Sequence, residues 1–227
     1  LKRLAKIEGI EWIRMLYLYP KHFSDELLET IMTEPKVCKY IDMPLQHINN
    51  TVLQRMNRKD TRENIVALLH KIRNRSEHIT LRTSLIVGFP GETEEQFQEL
   101  ADFVKDIRFD HMGVFTYSQE DGTPAGVMDD QIPEEVKEER YHTLMAIQAQ
   151  VSEEHNRDLE GTIHQVLIEA IDEVEPGKFL ARGRLQMQAP DVDGNMYVED
   201  VTGLSEGDIV TVKVSQGFAY DVVVETI

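Results

Sequence analysis

The segment that decides the fold is ITLRTSLIVGFPGE, residues 79–92, which continues as TEEQFQELADFVKDI at residues 93–107. Its β-branched, apolar first part predicts a buried strand over residues 79–87, and the GFPG that follows predicts a tight turn. Thr93 and Gln96 have the capping-box spacing that starts a helix, which the pattern extends to residue 107. A strand, a turn and a helix in this order are typical of α/β folds with a parallel sheet.

The same alternation continues on both sides of this segment. Further strands are predicted at residues 12–19, 39–43 and 112–116, and further helices after Ser24, at residues 51–56 and after Thr61. Right-handed crossovers would bring the carboxyl ends of these strands to one edge of the sheet, where ligands bind in such folds. The first predicted domain is therefore an α/β domain over residues 1–156.

The pattern changes near Gly161, where a long helix that begins at Pro133 is expected to stop. The period then becomes two residues, and turn dipeptides occur at Pro176-Gly177 and Asp193-Gly194. Short strands are predicted at residues 162–170, 178–184, 209–214 and 220–225. These features predict a second domain, residues 157–227, that is a small antiparallel barrel of the OB type.

Composition excludes several classes of protein. The chain has 227 residues, with 24 basic and 41 acidic side chains and a formal net charge of −17, which weighs against nucleic-acid binding. Its one cysteine, Cys38, excludes an internal disulfide framework and a cluster bound by cysteines of this chain alone. No run approaches the roughly 20 apolar residues of a membrane span and no signal peptide opens the chain, so we expect a cytoplasmic protein and no membrane. The chain opens at a leucine in the middle of a pattern, and we expect it to be a fragment.

Candidate site residues lie where the predicted strands end. Pro44 would stop strand pairing and leave Gln46, a donor and acceptor suited to a ribose or an amide, at the sheet edge. His47 follows it and could titrate near neutral pH. In the GFPG turn, the two glycines allow positive φ and a close approach of the backbone to a ligand, and Phe89 could stack on a flat ring.

Three blocks of sequence resemble the methylthiotransferase branch of the radical S-adenosylmethionine (SAM) enzymes. They are YIDMPLQHINNTVLQRMNR at 40–58, LRTSLIVGFPGETEEQF at 81–97 and FDHMGVFTYSQEDGTPA at 109–125. Within that branch, MPLQH and QAPDVDG (188–194) resemble the enzymes that act on ribosomal protein S-twelve, whereas the tRNA-modifying members usually have a QSGS-like string. The resemblance implies an α/β partial, incomplete TIM-like radical SAM barrel followed by a small all-β, OB-like TRAM barrel.

The resemblance also implies an activity and its cofactors. That family adds a methylthio group to the β-carbon of an aspartate, using SAM and two [4Fe–4S] clusters. This chain has no CxxxCxxC motif, so we expect it to hold no cluster and to be inactive by itself, with no catalytic or metal-binding residue of its own. The resemblance assigns cofactor binding to residues of two strands and one turn: Gln46, Arg82, Thr83, Ile86, Gly88, Phe89 and Pro90.

Two alternatives remain open, a tRNA adenosine methylthiotransferase and a non-enzymatic binding module. RNA binding needs a basic protein surface that carries aromatic side chains. Residues 157–227 instead contain 5 basic and 14 acidic residues, a net charge of −9. The expected partner is therefore a basic protein, ribosomal protein S-twelve or the small ribosomal subunit, attracted by exposed acidic residues of the barrel. These predicted substrate-binding residues are Asp172, Glu173, Glu175, Asp191, Asp193, Glu199 and Asp200.

Overall fold

The structure is a computed structural model that describes residues 1–76 and 78–227. Its first part contains a four-stranded sheet in the order β1-β2-β3-β4, in which β3 and β4 pair in parallel. The elements of this part are β1 (Ile13–Met15), α1 (Asp25–Thr33), β2 (Val37–Asp42), α2 (Asn50–Arg55), α3 (Arg62–Arg75), β3 (Thr80–Val87), α4 (Glu94–Ile107), β4 (His111–Thr116) and α5 (Glu134–Asp158). The α/β architecture predicted from the alternation is confirmed.

The last part of the chain is a closed barrel with the strand order β5-β6-β7-β9-β8. Its strands are β5 (Ile163–Glu175), β6 (Lys178–Leu185), β7 (Met196–Val198), β8 (Ile209–Gly217) and β9 (Val222–Thr226). Ten buried side chains, seven of them valine or isoleucine, fill the interior, as expected for strands with one inward face. The small barrel predicted after Gly161 is therefore confirmed, although β7 and β9 pair in parallel and not antiparallel as predicted. Strand β7 was not predicted, because three residues are too few to show a period of two.

The chain divides into two compact units. One, called the sheet unit here, comprises residues 15–29 and 41–148, and the other, the barrel unit, comprises residues 1–14, 30–40 and 149–227. The predicted boundary between residues 156 and 157 stays a prediction. None of the helices in the described residues is long and apolar enough to cross a membrane.

Local side chains account for where the helices begin. The Thr61 hydroxyl accepts a hydrogen bond from the Asn64 amide, and the Ser24 hydroxyl accepts one from the Leu27 amide. Thr93 and Gln96 make both bonds of the capping box, and α4 ends at Ile107 as predicted. These contacts satisfy amide groups that an α-helix leaves without partners at its first turn.

The strand predicted over residues 12–19 is shorter than expected. Only Ile13–Met15 form β1, because Tyr17 adopts a left-handed conformation with φ 60° that leaves the extended region. The Tyr17 amide donates to the Asp42 carboxylate, at 2.9 Å, and the Leu18 amide donates to the Asp42 carbonyl. A contact with a residue 25 positions away therefore replaces strand pairing.

Candidate functional site

Strand β3 has two different faces. Leu81, Thr83, Leu85 and Val87 are fully buried, whereas Ser84 and Ile86 on the alternate positions are half-buried. Together with Arg82 they form what we call the polar strand face, defined as Arg82, Ser84 and Ile86. Two of its three residues are polar, and Ser84 and Ile86 are half-buried, as expected for a ligand-binding surface.

Thr83 does not belong to this face. Successive residues of a strand point to opposite sides of the sheet, so Arg82 and Thr83 cannot face one cavity as the sequence analysis expected. The Thr83 hydroxyl donates to the Met43 carbonyl, at 2.9 Å, and is fully buried. The observed contact of Thr83 supports the pairing of β3 with the segment after β2, and its assignment to the cofactor stays a prediction.

A buried ion pair lies on the polar side of the sheet. One terminal nitrogen of Arg82 donates to Asp42 Oδ1, at 3.0 Å, and to Ser84 Oγ, at 3.2 Å. The Asp42 side chain is 1% exposed and that of Arg82 is 9% exposed. A guanidinium held in this way presents a fixed, planar cationic group, which is suited to a carboxylate.

Gln46 lies beside this face. The backbone amide of Gln46 donates to the Ser84 carbonyl, and the backbone carbonyl of Gln46 accepts from the Ile86 amide. The backbone of Gln46 is therefore bonded to β3 at its two half-buried positions. Gln46 has a positive φ of 70° and is half-buried, whereas Leu45 and His47 on either side are fully buried. That Gln46 and Arg82 line one cavity stays a prediction.

The Gly88–Gly91 turn is packed against the rest of the sheet unit. Both glycines have positive φ, as predicted, but a methyl group at Gly88 would lie 2.3 Å from Lys137 Cγ. At Gly91 it would lie 2.2 Å from Asp130 Oδ2. The glycines therefore make room for side chains of the same chain, and a close approach of their backbone to a ligand stays a prediction.

Phe89 and Pro90 are also buried in this turn. The Phe89 ring packs edge-on against Tyr117, with ring centroids 5.3 Å apart. This packing covers the ring that the sequence analysis expected to stack on a ligand. Its observed role is hydrophobic packing below the turn.

The sequence analysis missed a buried polar cluster behind the turn, formed by His47, Glu92 and Arg140. Glu92 Oε1 accepts from Arg140, at 2.8 Å, and Oε2 accepts from the Gly88 amide, at 3.0 Å. His47 Nδ1 accepts from the Asn49 amide, so the ring proton lies on Nε2, which is 3.6 Å from Glu92 Oε2. The charges of Glu92 and Arg140 thus compensate each other inside the core. The cluster also connects the turn to α5, which carries Arg140.

The predicted substrate-binding carboxylates of the barrel fall into two groups. Asp193 Oδ2 accepts from the Tyr40 hydroxyl, at 2.6 Å, and from the Ala189 amide, at 2.7 Å, so it supports the fold and is not freely exposed as expected. Glu173 accepts from the Gly177 amide within its hairpin. Hydrogen bonds from the Thr202 side chain and from the Thr202 amide lower the pKa of the Asp200 carboxyl. Glu173 and Asp200 are exposed, as are the other four: Asp172, Glu175, Asp191 and Glu199.

Cys38 lies in the core of the barrel unit with Tyr40, Ala189 and Trp12. Burial raises the pKa of its thiol, because desolvation disfavours the thiolate. Within residues 1–76 and 78–227, no three His, Cys, Asp or Glu side chains lie close enough to hold a metal ion.

Comparison with known protein families agrees with this architecture. The Radical SAM superfamily model matches residues 1–104, and the TRAM domain model matches residues 161–227. Residues 1–104 therefore match a radical SAM domain and residues 161–227 a TRAM domain, as the fold and the sequence blocks predicted.

Curated relatives define a narrower group. The chain is 50% identical to the ribosomal protein uS12 methylthiotransferase RimO of Trichlorobacter lovleyi, covering 100% of this chain and 50% of that protein. It is 46% identical to RimO of Clostridium botulinum strain Loch Maree (98% and 49% covered) and 49% identical to RimO of Geotalea uraniireducens (100% and 50% covered). The predicted resemblance to the enzymes of ribosomal protein S-twelve, uS12, is confirmed. The chain spans about half the length of the curated relatives it matches.

Proposed function

We propose that the whole protein to which this chain belongs is a radical SAM methylthiotransferase that modifies an aspartate β-carbon of ribosomal protein uS12. The observation that supports this proposal best is the identity of 45–50% along essentially the entire chain with proteins of that name. Identity at this level extends through the radical SAM part and the TRAM part together. The proposal includes a cytoplasmic location, where ribosomes are made and modified.

In this proposal the polar strand face and Gln46 hold SAM. The only anionic group of SAM is its carboxylate, and the Arg82 guanidinium is the buried cation of that face. Ser84 and Gln46 add a hydroxyl and an amide, and Ile86 adds apolar contact. The chemistry that SAM supplies in this family is a hydrogen-abstracting 5′-deoxyadenosyl radical, formed with a [4Fe–4S] cluster. The contribution of this chain is to bind and orient the cofactor.

The clusters need ligands beyond this chain. A [4Fe–4S] cluster is held by cysteine thiolates, and the chain offers only Cys38, which is buried in an apolar cluster. The proposal therefore assigns both clusters to other parts of the whole protein. By itself, the 227-residue chain is expected to be inactive.

The substrate is proposed to approach the acidic face of the barrel. We define this face as Asp172, Glu175, Asp191 and Glu199, four of the predicted residues that are exposed; Asp172 Oδ2 also lies 3.9 Å from Arg182 Nε. A strongly basic ribosomal protein would be attracted by such a face at long range, and the phosphates of tRNA would be repelled. This charge favours the uS12 enzyme over the tRNA enzyme and over a module that binds nucleic acid.

Reversing the charge of the acidic face tests the substrate. In the whole protein, replacing Asp172, Glu175, Asp191 and Glu199 by lysine is expected to slow association with uS12 about 10-fold or more at low salt. It should also flatten the salt dependence, because exposed charges are screened within about 8 Å at physiological ionic strength. Stopped-flow or surface-based kinetics at several salt concentrations measure both effects.

A matched control reverses four exposed carboxylates of the sheet unit: Asp106, Glu135, Glu138 and Glu139. It changes the net charge by the same amount and should slow association less. Equal slowing by both sets would show that only the total charge matters. Tighter binding of tRNA than of uS12 by the unmodified protein would favour the tRNA enzyme.

A further inference from the structure

Asp42 joins three segments of the sheet unit at the polar strand face. It is the last residue of β2 and is almost completely buried. Its Oδ1 accepts from Arg82 on β3, and its Oδ2 accepts from the Tyr17 amide after β1. Both carboxylate oxygens are therefore used, and each fixes a different neighbour.

The contact between Asp42 and Arg82 involves a terminal nitrogen of the guanidinium. That nitrogen is shared between Asp42 Oδ1 and Ser84 Oγ, at 3.0 and 3.2 Å. Because a guanidinium is planar and rigid, fixing one nitrogen from two sides sets the plane of all its N–H groups. On the neighbouring strand β4, a methyl group at Gly113 would lie 3.5 Å from the other terminal nitrogen. Because residue 113 is glycine, it places no side-chain atom next to this end of the guanidinium.

From this geometry we infer that Asp42 is a positioning residue that orients the Arg82 guanidinium toward the carboxylate of SAM. The inference rests on the proposed function, in which Arg82 binds that carboxylate. An arginine and a carboxylate form two parallel bonds only when their planes are aligned, so an arginine free to rotate binds more weakly. Asp42 supplies the alignment and also compensates the buried positive charge before the cofactor arrives.

The test measures SAM affinity directly, by equilibrium dialysis of the whole protein with labelled SAM. Arg82→Gln is expected to weaken binding about 10–100-fold, since it removes a charge-assisted pair. Asp42→Asn keeps the size of the side chain and is expected to weaken binding about 5–10-fold through loss of alignment. In the double variant Asp42→Asn with Arg82→Gln, SAM affinity should equal that of Arg82→Gln alone, because the losses of affinity at two residues that act through one group are not additive.

The chain offers a matched control in Asp110. Asp110 Oδ2 accepts from Arg73, at 2.8 Å, and from the Leu81 amide, at 2.8 Å, which repeats the pattern of one arginine and one backbone amide. Asp110→Asn should lower the unfolding midpoint less than Asp42→Asn, because the Asp110 side chain is 24% exposed, and leave the SAM dissociation constant within about twofold. Asp42→Glu keeps the charge but moves it by one methylene, and it should give an intermediate affinity even if Asp42→Asn does not fold.

The outcomes separate the inference from the proposed function. If Arg82→Gln binds SAM as tightly as the wild type, the assignment of Arg82 to the cofactor site is wrong, and the inference falls with it. If Arg82→Gln weakens binding but Asp42→Asn and Asp42→Glu do not, only the inference is overturned. It is also overturned if Asp110→Asn weakens binding equally, or if the effect of Asp42→Asn persists without Arg82.

Discussion

Replacing Glu92 by glutamine is expected to lower the free energy of unfolding by about 3–5 kcal/mol, because it leaves a buried cation without its counter-charge. The Glu92 carboxylate is fully buried and takes hydrogen bonds from Arg140 and from the Gly88 amide. Arg140 is itself only 6% exposed, so water cannot replace the lost carboxylate. Urea unfolding followed by circular dichroism measures the loss.

Glu94 provides the control for this prediction. It contacts the same Arg140, at 3.3 Å, but its side chain is 71% exposed. Glu94→Gln should therefore change the free energy of unfolding by at most about 1 kcal/mol. Adding Arg140→Met to Glu92→Gln should recover part of the loss, because the unpaired charge is then gone. Equal losses for Glu92→Gln and Glu94→Gln would contradict a structural role for the buried cluster.

Replacing Asp193 by alanine is expected to cost about 2–4 kcal/mol, because two donors lose their acceptor inside the barrel unit. These donors are the hydroxyl of Tyr40, which is fully buried, and the amide of Ala189, which is nearly so. Thermal or urea unfolding measures the cost.

Asp191→Asn is the matched control, since Asp191 is exposed two positions earlier in the same loop and asparagine tolerates its left-handed backbone conformation, φ 63°. It should leave stability within about 0.5 kcal/mol. Asp193→Ala should also leave the salt dependence of uS12 association close to that of the wild type, because Asp193 lies outside the acidic face. A stable Asp193→Ala variant with a flattened salt dependence would return Asp193 to the substrate-binding residues.

Local signals were the most predictable part of this molecule. The hydroxyls of Thr61 and Thr93 cap helices within three residues along the chain, so sequence spacing alone locates both starts. The Pro176-Gly177 turn is equally local, and it joins β5 and β6 as predicted. These features depend on short-range hydrogen bonds and backbone conformation, which a few neighbouring residues determine.

Contacts between distant residues were not predictable in the same way. Glu92 and Arg140 are 48 positions apart, and Tyr40 and Asp193 are 153 positions apart. Neither pair has a spacing that marks it, so the sequence indicated no partner for Glu92 and placed Asp193 among the exposed acidic residues. Similarly, Arg82 and Thr83 were grouped as neighbours in sequence, although the pleat of β3 separates them onto opposite faces.

The most direct test of the central claim is the mass of uS12 from cells that lack their own uS12-modifying enzyme and express the whole protein containing this chain. The account predicts that one uS12 aspartate gains a methylthio group in place of one hydrogen, and that Arg82→Gln abolishes or strongly reduces this change. Tandem mass spectrometry locates the modified residue. Unmodified uS12 together with newly methylthiolated tRNA adenosine would contradict the account and identify the tRNA enzyme instead.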